Sequence, residues 1–528
     1  MYLFAANVNK IQRYIFSSSR LADVVGASYN LEQFSKVAAV ELLKEVLKDG
    51  YKDENVIIAD GGSFRIIFDD EQKALEYGKL LCALCRSMVG APISIVAPIK
   101  IQEDKDGFKT AIEKALTDLG NAKQADLGML GTCQIPQAAY CACCGTEMAV
   151  SFTSDDGYIC RLCLDKRHNR DEQKAVLVDE FLQRVYYAGI SAEQLQHSLP
   201  TPESITGEYG IGNYVAYLVA DGNRMGMLFG TKTEPAAMKV LSNELGNAIK
   251  DALAVVAAKI IQEHTRKYKP GKKLKLPVLP LITGGDDCFA VVPARYAFWA
   301  ADIFAREFEK RMPPDKKIQP RMSIGLVICK ANYPYYTAHR LGEHLLKNAK
   351  LLANDVLVSK YEQNVSTMNF ALAGEGEASK PQDNHYHSGA PYVVAYDEEV
   401  IGGINDVFNI RKMLEGRAIL EKSELSAVKC QGLRELYRNA AMMQKDEKNA
   451  WKEKWTREAE VLLKRIGQLN KSQAEALKRV IGTSEAGNSW WLMLHDTIGN
   501  KHYGHYLPDI LEMWDFLEYN AKNDDEVK

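Results

Sequence analysis

Three aspartates in this chain have the chemistry to hold divalent metal. Asp286 and Asp287 lie in "LITGGDDCFAVV" (281–292), two apolar runs joined by a Gly-rich turn. That is the pattern of a β-hairpin, and glycine suits its turn because it adopts φ > 0 at little cost. Asp221 closes a separate apolar run, "YVAYLVAD" (214–221), which reads as a strand. A strand end and a neighbouring hairpin turn can bring all three carboxylates into one cluster. Without a counter-ion such charges repel and shift one another's pKa. A pair of Mg²⁺ (or Mn²⁺) ions, which favour hard oxygen ligands, relieves that repulsion. Two such ions can activate a hydroxyl and stabilise a leaving pyrophosphate. The competing reading is a solvated hairpin tip, where Asp is common.

A second set of ligands is soft. Cys141 and Cys144 form one CxxC pair, Cys160 and Cys163 another, with a short span between them. This is the spacing of a Cys₄ zinc site, and four thiolates around tetrahedral Zn²⁺ make a closed, structural centre. Cys143 could replace a neighbour. Cys82 and Cys85 also read CxxC, but sit in the helical run "LLCALC" without a second pair, as core residues do.

The elements that must carry these groups recur. Residues 2–8 read as a strand, 28–48 as an amphipathic helix, 55–68 as a hairpin around Gly61-Gly62, 71–88 as a helix and 91–99 as a strand. Past the cysteines and a connecting helix at 171–199, the order repeats. A strand at 214–221, one or two long helices at 236–266, the hairpin at 277–292, a helix at 294–311 and a strand at 321–328 follow one another. Strand, helix, hairpin, helix, strand is the ferredoxin-like pattern, an antiparallel sheet covered by helices.

Short stretches superpose in the same order: "AANVNKI" (5–11) on "VADGNRM" (219–225), and "GGSFRIIF" (61–68) on "GGDDCFAV" (284–291). Together they indicate a duplicated domain. In this overlay Asn7 falls on Asp221, Ser63 on Asp286 and Phe64 on Asp287, so the first copy lacks the carboxylates. The first copy then reads as structural and the second as catalytic.

The expected organisation is α+β. A first palm with a degenerate site covers 1–132, a zinc knuckle and helical connector 133–200, a second palm 201–400, and an all-helical C-terminal domain 401–528. Residues 374–390 read as a polar loop and the terminal "NAKNDDEVK" as a disordered tail. With 528 residues, 46% hydrophobic and 26% charged, the chain has the composition of a soluble globular protein. The formal net charge of −3 gives no global basic field that would point to nucleic acid. The start, "MYLFAANVNK", has no signal-peptide pattern. No apolar run approaches the roughly 18 residues needed to span a bilayer. A cytoplasmic protein without membrane association is expected, and its eleven cysteines then fit metal binding better than disulfides.

The combination resembles the large polymerase/cyclase-like subunit family of type III CRISPR interference complexes. The resemblance rests on "NKIQRYIF" and "GASYNL" near the start, the four-cysteine knuckle, "ADGNRMG", "GGDDCF", "SIGLVICKANYPYYTAHRLGEHLLKNAK" and "APYVVAY", which together extend from residue 4 to about 395. The GGDD hairpin alone is shared with diguanylate cyclases, which lack a duplicated palm around a zinc knuckle. The resemblance implies two palm (nucleotide cyclase/polymerase) domains joining ATP into cyclic oligoadenylates in antiviral defence. It implies guide or target RNA and other complex subunits as partners.

Carried onto this sequence, the resemblance makes Asp221, Asp286 and Asp287 the catalytic metal ligands. It sets the Gly222 backbone near metal or phosphate, and lets nucleotide approach Gly284 and Gly285 closely. Ser63 becomes part of an acceptor pocket. Lys350 becomes a triphosphate contact, with a solvated helix lysine as the competing reading. One departure is plain: many members begin with an HD nuclease domain, and this chain starts at the first palm. Its single His-Asp dipeptide, His495-Asp496, has no defensible set of further ligands in His502 and His505, so no DNase activity is expected. The alternatives are a stand-alone antiviral cyclase and a non-catalytic RNA- or protein-binding scaffold. Ring size, linkage, base selectivity, trigger and homo-oligomeric state are open in the sequence.

Overall fold

A computed structural model describes residues 1–125, 139–374, 391–394, 407–421, 470–481, 491–495 and 501–518, with short interruptions at 19, 105, 146, 169, 313–317 and 358–363 and scattered residues between 429 and 468. The first sheet is built on β1 (Tyr2–Val8). It is followed by α1 (Ile11–Ile15), α2 (Leu21–Gln33) and α3 (Ala39–Leu47), the hairpin β2 (Val56–Asp60) and β3 (Ser63–Phe68), then α4 (Glu71–Met88), β4 (Ile93–Ile95), β5 (Ile99–Lys100) and α5 (Gly107–Ala125). Its strand order is β2-β3-β1-β4, with β5 also beside β1. β1 is antiparallel to both β3 and β4, which is the ferredoxin-like arrangement.

The cysteine segment carries a small hairpin, β6 (Ser151–Thr153) and β7 (Gly157–Ile159), and α6 (Arg161–His168). The connector α7 (Arg170–Tyr187) and α8 (Pro202–Tyr209) lead into the second palm. There β8 (Tyr214–Asn223), α9 (Met225–Gly230), α10 (Pro235–Tyr268), β9 (Leu279–Gly284), β10 (Asp287–Pro293), α11 (Ala297–Arg311) and β11 (Arg321–Lys330) repeat the first order. They are followed by α12 (Tyr335–Leu351), β12 (Thr367–Leu372), β13 (Tyr392–Val393) and β14 (Phe408–Asn409). The sheet runs β14-β13-β12-β11-β8-β10-β9, so its last four strands repeat the order of the first sheet. The long helical pattern at 236–266 is one helix, α10.

The strands of the second palm are apolar on both faces, and the two-residue period assigns each side chain to a face. Ala216, Leu218 and Ala220 of β8 join a core with α10 and α11, including Ile249, Leu253, Trp299 and Phe304. Val215, Tyr217 and Val219 face the other way, into a core shared with α12 and the first palm. Asp221 continues this second set. Phe16, just after α1, packs edge-on against Phe289 at 5.3 Å, and Phe289 stacks on Tyr217 at 5.5 Å. The reciprocal contact also exists: Met238 and Phe229 of the second palm join the first palm's core beneath α5. Each palm thus leans its first helices on the site-bearing face of the other, as a pseudo-two-fold relation requires.

The C-terminal region departs from the all-helical expectation. Helices Ile410–Glu421, Lys471–Ile481 and Tyr506–Glu512 are present, but Trp491–His495 and Lys501–His505 form an antiparallel hairpin. The run "WLMLH" (491–495) suits a short strand as well as a helix, and five residues are too few for periodicity to decide. Of the expected loop at 374–390, residues 375–390 lie outside the described residues, as does the terminal tail. Among the described residues no helix is long and apolar enough to cross a membrane.

Candidate active site

Asp221 and Asp287 are direct cross-strand partners on β8 and β10, and Asp286 sits in the turn between β9 and β10. One carboxylate oxygen from each lies within 4.8 Å of the others. The support beneath them is hydrogen-bonded and buried. Ser323 of β11 is opposite Asp221. Its hydroxyl donates to Asn223 Oδ1 at 2.7 Å and lies 3.0 Å from Thr367 Oγ1.

α12 brings the counter-charge. It crosses the sheet at two glycines: a Cβ on Gly342 would meet Val219 Cγ2 at 2.3 Å, and one on Gly325 would meet the Gly342 carbonyl oxygen at 2.1 Å. Only glycine allows the helix to lie this close. Its last turn then reaches the strand end, where Lys350 forms an ion pair with Asp221.

The electrostatics are those of crowded anions. Recession from bulk water, followed by the charge of Asp221, pushes the Asp286 carboxyl up to about 7. The same recession, then the charges of Asp286 and Asp221, pushes Asp287 up to about 8, although its side chain still meets solvent in the cleft. Glu343, two helical turns before Lys350 on the same side of α12, is raised by burial and then by Asp221. His339 lies beneath them, its ring 4.6 Å from Phe16 and 4.9 Å from Phe289, and burial pulls it down to about 4. A hard, oxygen-seeking divalent cation is the species this donor set fits. Glu343 and His339 were not singled out in the sequence. The signal for Glu343 was its seven-residue spacing from Lys350, which returns to the same helix face.

The first palm has the same frame with different chemistry. Asn7 pairs with Ser63 across β1 and β3, as Asp221 pairs with Asp287. Asn9 Nδ2 donates to Ser94 Oγ at 2.7 Å, and the corresponding pair of the second palm bonds in the opposite sense, Ser323 donating to Asn223. Lys10 and Arg224 both adopt left-handed backbone, at φ 54° and 58°. The register corrects the sequence overlay by one residue. Ser63 occupies the place of Asp287, Gly62 that of Asp286, and Phe64, fully buried, that of Cys288. The two turns differ in kind: Gly61 and Gly62 both have positive φ, whereas in the second turn only Gly285 does. These are the I′ and II′ patterns. Arg65 fills the degenerate site, donating to Asn7 Oδ1 at 3.1 Å and to the Phe64 carbonyl at 2.7 Å. A guanidinium there opposes a second cation.

The two turns abut: a Cβ built on Gly284 would lie 3.5 Å from Gly61 Cα. Gly284 closes β9 opposite Asp287. Gly222 follows Asp221 directly, and a Cβ there would meet the Met225 side chain. All the proposed nucleotide-binding residues, Gly222, Gly284, Gly285, Ser63 and Lys350, therefore lie at the two abutting turns or on the strand and helix ends beside the triad. Beside β9, Val25, Ser28, Phe181, Leu253, Leu281 and Thr283 line an open cleft.

Cys141, Cys144, Cys160 and Cys163 also converge, their sulfurs within 4.8 Å of one another. The Cys144–Cys160 separation is 3.8 Å. A tetrahedral centre with Zn–S of about 2.3 Å sets its sulfurs about 3.8 Å apart, so the donor set fits Zn²⁺. Cys143 is turned away, its sulfur accepting from Arg167 Nη2 at 3.0 Å. Arg167 also pairs with Asp23 of α2. The buried Lys166 amine donates to the Tyr14 carbonyl at 2.8 Å and to Ser17 Oγ at 2.9 Å, which docks the knuckle on the first palm. Cys85 is a buried core thiol and Cys82 is partly buried, as expected.

Two palms in pseudo-symmetry, one with an acidic triad and one without, define a duplicated palm protein. Residues 214–357 match the family model described as Cas10/Cmr2, second palm domain. The match covers the second palm alone, and on that ground this segment is similar to the Cas10/Cmr2 second palm. Structural likeness extends over most of the chain. A Csm1 structure from T. onnurineus superposes with a TM-score of 0.54 at 14% identity, covering 88% of this chain and 64% of that one. A Csm1–Csm4 cassette in complex with cA4 gives 0.52 at 14%, covering 85% and 63%. A Csm1–Csm4 cassette in complex with cA3 gives 0.53 at 13%, covering 90% and 69%. The chain thus spans less than two thirds of the first two. At these identities the likeness establishes fold alone. No curated protein matches the sequence.

Proposed function

We propose that this chain is a Mg²⁺- or Mn²⁺-dependent nucleotidyltransferase that joins ATP into cyclic oligoadenylates within a type III CRISPR effector. The carrying observation is the convergence of Asp221, Asp286 and Asp287 at a turn that abuts the corresponding turn of the other palm. The cA3 and cA4 held by structurally similar cassettes support the product class. Asp221, Asp286 and Asp287 would hold Mg²⁺, which would supply the positive charge that acidifies a 3′-hydroxyl and neutralises the triphosphate.

The chain's own residues hold and orient. Gly284, Gly285 and Gly222 leave the turn backbone open to phosphate, and Lys350 is placed to contact the triphosphate. Ser63 faces the acceptor. The 3′-oxygen of one ATP bonds to the α-phosphorus of the next, the bond to pyrophosphate breaks, and the hydroxyl proton passes to solvent. Cys141, Cys144, Cys160 and Cys163 would hold one structural Zn²⁺. The domain boundaries of the sequence reading serve this proposal, with the seam between 1–132 and 201–400 as the nucleotide cleft.

The C-terminal region would contact partner subunits or RNA. Of the basic residues that suggest it, Lys464 and Arg465 are exposed, while Lys445, Lys448, Lys452, Lys454 and Arg457 lie outside the described residues. Incubation of the RNA-loaded complex with a four-nucleotide mixture and Mn²⁺, followed by mass spectrometry, tests the reading. Cyclic oligoadenylates are expected, and products containing other bases would contradict the ATP assignment.

A further inference from the structure

The ion pair between Lys350 and Asp221 places a cation where the metal's charge belongs. Three carboxylates with oxygens within 4.8 Å of one another have one ammonium on one of them. Lys350 is the counter-charge that lies on Asp221. α12 cannot withdraw to make room, because Gly342 and Gly325 hold it flush against the sheet. The side chain can move. It is partly exposed and hangs from the last turn of α12 on four rotatable methylenes. A divalent cation bound by Asp221 and the Lys350 ammonium at the same oxygen repel, and both cannot sit there.

We infer that Lys350 is a positioning residue with two exclusive places: on Asp221 when the site is metal-free, and swung away toward the bound triphosphate when metal is present. This rests on the proposed metal and nucleotide reading and adds a coupling to it. Lys350 opposes metal when no nucleotide is present. Nucleotide offers the ammonium a second anionic partner and so removes that opposition. Metal and triphosphate then bind with positive cooperativity, reciprocal in both directions. A cleft without nucleotide stays poorly metallated and poorly reactive toward other hydroxyls.

The opposed signs make the test sharp. Mn²⁺ binding is measured by electron paramagnetic resonance on the full chain without nucleotide, then with a non-hydrolysable ATP analogue. Lys350→Met keeps the length of the side chain and removes its charge. It should bind Mn²⁺ about tenfold more tightly than wild type without nucleotide, bind the analogue more weakly, and lose the cooperativity between them. Lys350→Arg keeps the charge and should retain wild-type Mn²⁺ affinity. Equal or weaker Mn²⁺ affinity in Lys350→Met overturns the inference while leaving the metal site standing. Absence of Mn²⁺ binding in every form overturns the metal reading itself, and the inference with it.

Discussion

At the residue scale, the second palm's carboxylates are held in a state that only a cation relieves. Asp286 and Asp287 bind protons more tightly in the folded metal-free chain than unfolded Asp does at about 4. Their raised pKa favours the folded state at low pH. That contribution is lost as pH rises from about 4 through about 7 and about 8. A divalent cation removes the resulting penalty but must displace the protons. Mn²⁺ should therefore raise the melting temperature more at pH 8 than at pH 6. Equal shifts at both pH values would show that these carboxylates are not protonated in the free site. The residue types were legible in the sequence; their partners were not. Lys350 stood out only through a resemblance, and Arg65 in the degenerate site carried no signal, because its role depends on the pairing of β1 with β3.

At the element scale, the sequence overlay was misled by its own glycines. Aligning Gly61-Gly62 with Gly284-Gly285 matched letters, whereas the chain matched turns, and the I′ and II′ geometries place their glycines one residue apart. The resulting error moved Phe64 into a site it does not occupy. Strand and helix positions were legible because apolar periodicity is strong in both palms. The C-terminal hairpin was not, since a five-residue strand gives periodicity too little to act on. The crossing of α12 over β11 yields a prediction. Gly325→Ala drives a Cβ against the Gly342 carbonyl, a backbone atom that cannot step aside. It should cost about 1–3 kcal/mol in chemical denaturation, and should lower activity further by lifting Lys350 from the triad. A variant with unchanged stability would show that the helix is not held at this crossing.

At the scale of the whole molecule, the knuckle is a brace. Cys160→Ser should release zinc and destabilise the chain by an amount on the order of 4 kcal/mol, measured by elemental analysis and calorimetry together. Zinc retained in full would refute the four-thiolate assignment. Lys166→Met should keep zinc but remove the donor that ties the Tyr14 carbonyl and the Ser17 hydroxyl to the knuckle, at a cost of about 1–3 kcal/mol. Stability equal to wild type would show that the knuckle does not depend on this contact. The duplication itself was legible, because paired motifs recur in order. The particular contacts between the two palms were not, since Phe16 against Phe289 and Gly61 against Gly284 join residues far apart in sequence.

The central claim is that ATP is joined at the carboxylates of the second palm. Asp286→Asn and Asp287→Asn together preserve side-chain size, remove both negative charges, and leave the apolar cores untouched. The decisive measurement is product formation from labelled ATP with Mn²⁺ by the RNA-loaded complex carrying either the wild-type chain or this double variant, each shown by calorimetry to be folded. Oligoadenylate from the wild type and a loss of at least about a thousandfold in the variant, in line with removal of a metal-supplied transition-state charge, is the predicted result. A double variant that makes product at the wild-type rate would contradict it.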